Sequence, residues 1–88
     1  MNSIFYTYIL FSAKHSRFYI GQTDNILRRI ERHNNGLVKS TKPYKPWEIV
    51  GYIEKTSRKD AVILEKKLKN LNTEDLKKFI KKYFDKDF

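Results

Sequence analysis

Ile4-Phe5-Tyr6-Thr7-Tyr8-Ile9-Leu10-Phe11, then Ser12-Ala13-Lys14-His15-Ser16, then Arg17-Phe18-Tyr19-Ile20-Gly21, is the stretch on which the fold turns. The first segment is rich in aromatic and β-branched residues, the composition of a strand. It is apolar at nearly every position, which predicts a central strand covered on both faces. A break of five polar residues is the length of a hairpin loop. Arg17 to Gly21 is then the return strand, paired antiparallel to the first.

Working outward, Thr23 or Asp24 can cap a helix over Asn25 to Asn34. Ile26 and Ile30, four apart, would form its buried stripe, with Arg29 and His33 on an adjoining one and Arg28 and Arg32 towards solvent. Gly36 in Asn34-Asn35-Gly36 suits the left-handed conformation that ends a helix. Leu37 to Pro46 reads as a basic loop carrying Lys39, Lys42 and Lys45, stiffened by Pro43 and Pro46. A third strand is expected over Trp47 to Ile53. A second helix, capped by Thr56 or Ser57, runs to about Lys69 with Ala61, Leu64, Leu68 and Leu71 on its apolar face. A third starts near Asn72-Thr73, with Glu74 and Asp75 in its first turn and a stripe of Leu76, Phe79, Ile80, Tyr83 and Phe84. The expected class is α+β: a small three-stranded antiparallel sheet flanked by three helices, in the order β-β-α-β-α-α.

Eighty-eight residues make a single domain, 1–88, with one modest core. There is no cysteine, so no disulfide and no thiolate zinc site. No segment approaches the ~20 apolar residues of a membrane span. Met1-Asn2-Ser3 leads straight into the first strand without the pattern of a signal peptide, so the expected compartment is the cytoplasm. Nineteen basic residues against ten acidic give a net charge of +9. The excess is uneven: residues 14–45 hold eight Lys or Arg against two acids. Such a field draws polyanions, chiefly nucleic acid, although solubility alone would also account for it.

Five residues invite chemistry. Glu65 falls between Ala61 and Leu68 on the inward face of its predicted helix, where a carboxylate must be paired, hydrogen-bonded or metal-bound. It is either a boundary residue, an ion-pair partner of Arg29, or a ligand to an Mg²⁺ ion, which takes few protein ligands and keeps its waters. Arg29 has the planar fork that matches a phosphate, and His33 can relay a proton near neutral pH; a solvated helix edge is the plainer reading of that pair. Tyr8 and Tyr19 read first as core or sheet-surface residues, and a phenol becomes a base only where neighbours lower its pKa.

Taken together, these segments resemble the GIY-YIG nuclease superfamily. Tyr19-Ile20-Gly21 corresponds to its second motif and Tyr6-Thr7-Tyr8 to a degenerate first one, with Tyr6 in place of the glycine. The helix Asn25–Asn34, the loop Thr41-Lys42-Pro43-Tyr44-Lys45-Pro46-Trp47 and the segment Glu65-Lys66-Lys67-Leu68-Lys69 also match, covering about residues 4 to 70. The pattern is similar to short single-domain bacterial members related to the nuclease module of the UvrC repair protein. The resemblance implies a metal-dependent endonuclease cleaving DNA, with RNA a further candidate substrate, in repair or recombination. Tyr19 would be the general base or would orient the attacking water. Tyr8 would bond that water or the scissile phosphate, Arg29 would stabilise phosphate charge, and His33 would assist proton transfer or hold phosphate. Glu65 would bind one Mg²⁺ or Mn²⁺ ion. Arg28, Arg32, Lys39, Lys42 and Lys45 would follow the backbone of the nucleic acid, and targeting would fall to a partner protein or to homo-oligomerisation. The competing expectation is a non-catalytic nucleic-acid-binding module of the same fold. Two departures stand out: Gln22 follows Gly21 where the repair module has a lysine within the next turn, and Asn70 and Asn72 are poorly spaced for the downstream asparagine of larger members.

Overall fold

The computed structural model describes residues 4–88; the reading of Met1-Asn2-Ser3 lies outside them. The order is β1 (Phe5–Ser12), β2 (Arg17–Thr23), α1 (Ile26–Asn34), β3 (Glu48–Lys55), α2 (Arg58–Lys69) and α3 (Thr73–Phe84), with one 3₁₀ turn at Lys42–Tyr44. The sheet is antiparallel, ordered β2-β1-β3. The apolar first strand is therefore the central one, as its composition predicts. The α+β class and the β-β-α-β-α-α order are as expected; the strand ends are longer, because pairing with β1 carries β2 on to Thr23 and β3 on to Lys55.

β1 divides the core in two by its alternation. Ile9 packs with Ile20, Val50, Leu68, Leu76 and Ile80 beneath α2 and α3. Tyr8 and Leu10 pack on the other face with Trp47, Tyr19, Ile26 and Ile30 beneath α1. On the first face, the Thr7 hydroxyl donates to the Ala61 carbonyl at 2.8 Å, fixing α2 to the middle of the sheet.

Helix ends follow side-chain oxygens. α1 is capped by Asn25, whose side chain accepts from the Arg28 amide, rather than by Thr23 or Asp24. The Thr23 hydroxyl instead accepts from the Asn25 amide, shaping the turn that precedes the cap. Ser57 caps α2 and Asn72 caps α3. Gly36 has φ +72°, the left-handed value expected beyond the helix end. Tyr83, expected on the buried stripe of α3, is 55% exposed: it stacks on Phe79 at the helix rim.

The loop after α1 is held at both ends. The Asn34 side chain accepts from the Trp47 amide at 2.6 Å and donates to the Trp47 carbonyl at 3.0 Å, so it ties α1 to β3. Tyr44 carries the Arg17 guanidinium 4.1 Å from its ring centre and meets His15 and Trp47 edge-on. Lys39, Lys42 and Lys45 are left exposed on this anchored segment.

Candidate active site

Pairing along β1 and β2 sets Tyr8 opposite Gly21 and Leu10 opposite Tyr19. Tyr8, Tyr19 and Gly21 thus share the sheet face under α1. A Cβ at Gly21 would lie 2.5 Å from the Tyr8 oxygen and 2.6 Å from the ring carbon bearing it. The glycine of Tyr19-Ile20-Gly21 is therefore the room in which the Tyr8 phenol lies.

Above that phenol, one face of α1 delivers Arg29 and His33. His33 Nε2 is 3.0 Å from the Tyr8 oxygen, and Arg29 Nε donates to the same oxygen at 3.4 Å. The His33 ring lies 4.9 Å from that of Tyr19. On its far side, His33 Nδ1 is 2.7 Å from the Thr41 hydroxyl, and Trp47 Nε1 donates to the Thr41 carbonyl at 3.0 Å. Tyr8 is 1% exposed, His33 0% and Thr41 1%, so this row lies inside the fold. Tyr19, Arg29 and Glu65 are half-buried, each partly open to solvent. The burial of Tyr8 agrees with its plainer reading as a core residue, whereas that of His33 corrects the expected solvated helix edge. Tyr8 and His33 are turned inward: the phenol is engaged by His33 and Arg29, and the imidazole is enclosed by Tyr8, Tyr19 and Thr41.

Burial sets the electrostatics. It pushes the Tyr8 phenol up to about 12, against the lowering effect of the Arg29 hydrogen bond; the nearby Tyr19 and Glu65 raise it further. Burial, helped by the charges of Arg29 and Arg32, pulls His33 down to about 4. Both groups are neutral at pH 7. Arg29 is held even more firmly protonated by its bond to Tyr8, and the Tyr19 hydroxyl is close enough to contribute to the same effect. A guanidinium held in this way is a fixed positive charge, the kind of group that attracts an anion.

Glu65 comes from α2, near enough for its charge to be felt at Tyr8. Its partner is Lys69, 3.0 Å from Oε2, rather than Arg29. Among the described residues no group of three or more His, Cys, Asp or Glu side chains could hold a metal. A single carboxylate does not fit zinc, which needs three or four protein ligands. It fits Mg²⁺ or Mn²⁺, which take one or two carboxylates and complete their shells with water and phosphate oxygens.

Beside Arg29, a cavity of about 380 Å³ is lined by Thr23, Asp24, Asn25, Arg28, Arg29 and Arg32. Arg28 and Arg32 are exposed, as expected for residues pointing to solvent. The two departures from the motif also have structural reasons. Gln22 accepts from Arg58 at 2.9 Å, so its side chain joins β2 to α2. Asn70 is the C-cap of α2 and Asn72 the N-cap of α3, and the Asn72 side chain accepts from the Asp75 amide.

Thr41 and Trp47 are the members of the buried row that sequence reasoning missed. A threonine in a lysine-rich loop carries no sign of burial in the sequence, and only the aromatic at the end of that loop hinted at an anchored segment.

A β2-β1-β3 sheet with α1 setting Arg29 on Tyr8 is accompanied by a family match that makes this a nuclease-type domain, and the chain belongs to the GIY-YIG family: the GIY-YIG catalytic domain matches residues 4–83. Within that family it is similar to the UPF0213 proteins. A UPF0213 protein of Pediococcus pentosaceus is 34% identical over 79 residues, covering 89% of this chain and 82% of that one. The solution NMR structure of a UPF0213 protein from Bacillus halodurans superposes with a TM-score of 0.61 at 27% identity, covering 92% of this chain and 86% of that chain. No helix among the described residues is long and apolar enough to cross a membrane.

Proposed function

We propose that this domain is a divalent-metal-dependent endonuclease that hydrolyses phosphodiester bonds of DNA. The observation that carries the reading is the half-buried Arg29 guanidinium held on the Tyr8 hydroxyl at 3.4 Å, with Tyr19 near enough to act on Arg29 and the charge of Glu65 felt at Tyr8. Arg29 faces the scissile phosphate and neutralises the charge that builds on it during displacement. Tyr19, the more exposed of the two tyrosines, orients the attacking water or takes its proton. Tyr8 holds Arg29, and His33 holds Tyr8. Glu65 would hold one Mg²⁺ or Mn²⁺ ion, which supplies Lewis-acid stabilisation of the departing 3′-oxygen.

The arginine-lined cavity beside Arg29 and the anchored Lys39–Lys45 segment follow the phosphate backbone, contacts that set affinity without reading sequence. With so small a domain, choice of target falls to a partner protein, to homo-oligomerisation or to the shape of the nucleic acid, and repair or recombination is the setting in which the domain would act.

The competing reading is a binding module that grips nucleic acid without cutting. It is favoured by one observation, the Lys69 ammonium already neutralising Glu65. Nicking of supercoiled plasmid, with and without Mg²⁺ or Mn²⁺, separates the two. Metal-dependent nicking that disappears in Glu65→Ala is expected. Identical behaviour of wild type and Glu65→Ala under all conditions would reject the enzyme.

A further inference from the structure

We propose that Thr41 is a positioning residue: it fixes the His33 proton on Nδ1, and through His33 and Tyr8 it holds the Arg29 guanidinium in place. Four buried or half-buried groups stand in a row. The Thr41 hydroxyl donates to the Val38 carbonyl at 3.3 Å. A hydroxyl has one proton to give and lone pairs to receive. With its proton on a carbonyl, which can only accept, Thr41 Oγ1 must accept from His33 Nδ1, 2.7 Å away. A neutral imidazole carries a single N–H, so Nε2 is left as the acceptor. The Tyr8 phenol, 3.0 Å away, donates to it. The phenol oxygen then keeps its lone pairs for Arg29 Nε at 3.4 Å. Every donor in the row meets an acceptor, and all four bonds run in one sense, from Arg29 inward to Val38.

The opposite tautomer breaks this order. With the proton on Nε2, the Tyr8 oxygen would receive both the imidazole N–H and Arg29 Nε, and its own buried proton would have neither of these partners as an acceptor. The tautomer thus decides whether the Tyr8 proton is satisfied, and with it how firmly the phenol oxygen is oriented towards Arg29. Thr41 is suited to setting it because it is itself held on both sides: its amide donates to the Val38 carbonyl at 3.1 Å and its carbonyl receives Trp47 Nε1.

The tautomer claim is independent of the nuclease reading and rests on it only for the effect on turnover. The direct test is a long-range ¹H–¹⁵N spectrum of the imidazoles at pH 7.5. His33 is distinguished from the exposed His15 by a His15→Gln variant. A protonated Nδ1 and an unprotonated Nε2 are expected in wild type and in Thr41→Ser, which keeps the hydroxyl. Thr41→Val, of similar shape, should lose the single tautomer, and the Arg29 Nε proton should lose its protection from exchange. Where the wild type nicks DNA, Thr41→Val should lower kcat roughly tenfold at unchanged KM, about the worth of one hydrogen bond, and Thr41→Ser should restore it. A wild-type His33 protonated on Nε2 would overturn the proposal. So would a folded Thr41→Val that keeps both the wild-type tautomer and a protected Arg29 Nε proton. If Thr41→Val does not fold, the wild-type and Thr41→Ser spectra still decide. Absence of nicking in every variant would count against the nuclease reading and leave the tautomer result standing.

Discussion

The Tyr8 hydroxyl and His33 Nε2 meet at 3.0 Å in the interior of the domain, where neither side chain reaches solvent. A bond of this kind couples the stability of the fold to the protonation of its members. The unfolded chain takes up a proton on His33 near pH 6.5, whereas the folded one refuses it until about pH 4. Stability contributed by His33 is therefore complete above pH 6.5 and is lost as pH falls towards 4, by on the order of 3 kcal/mol. The Tyr8 phenol works in the other direction. Its folded value of about 12 lies above the ordinary 10, so its contribution is complete below pH 10 and is lost above it. Melting temperature followed against pH should show a plateau between about pH 6.5 and 10, falling on both sides. In His33→Gln the acid limb should flatten; an unchanged limb would assign it to other groups.

Gly21→Ala should damage the site from within. The added methyl would stand 2.5 Å from the Tyr8 oxygen, and that oxygen is held by His33 and Arg29, so the ring must shift. Overpacking of this kind costs about 1–3 kcal/mol. The expected outcome is a lowered melting temperature together with lost nicking. A variant with wild-type stability and activity would show that the Tyr8 ring is free to move aside.

Arg29→Ala should abolish nicking while changing stability by no more than about 1 kcal/mol, since one hydrogen bond to Tyr8 is removed at a half-exposed position. Arg29→Lys should not restore cleavage, because lysine has neither the Nε that meets Tyr8 nor the fork that meets phosphate. A large fall in melting temperature for Arg29→Ala would identify Arg29 as a structural residue instead.

Glu65→Ala should lose metal-dependent nicking and leave the unfolding free energy within about 1 kcal/mol of wild type, because a solvent-accessible i,i+4 pair contributes little. Calorimetric titration with Mn²⁺ in the presence of a non-cleavable oligonucleotide checks the same residue without turnover. Equal Mn²⁺ binding by wild type and variant would move the metal away from Glu65.

Replacing both Lys42 and Lys45 by Ala should weaken DNA binding alike for unrelated sequences. The slope of log affinity against log salt should become shallower by about 1.8, an increment of ~0.9 for each phosphate no longer neutralised. An unchanged slope would mean that the exposed face of the 42–45 turn does not meet the backbone.

Much of the domain is legible along the chain because its elements are set by local chemistry. Apolar continuity makes β1 central, Ser57 and Asn72 turn the chain into helices, and Gly36 supplies a left-handed turn after α1. Tyr8, Tyr19, Arg29, His33 and Glu65 can likewise be named as candidates from the sequence, because the segments that carry them resemble the GIY-YIG motifs. What the sequence by itself determined is the α+β topology and the identity of these candidate side chains. Only the tertiary structure decided which of them face outward. Tyr8 and His33 differ from Tyr19 and Arg29 in burial, and burial depends on how closely α1 and the Thr41–Trp47 segment settle over the sheet. That packing, absent from any local pattern, brings a loop threonine against a helical histidine, neutralises the imidazole and turns Tyr8 into a support for Arg29.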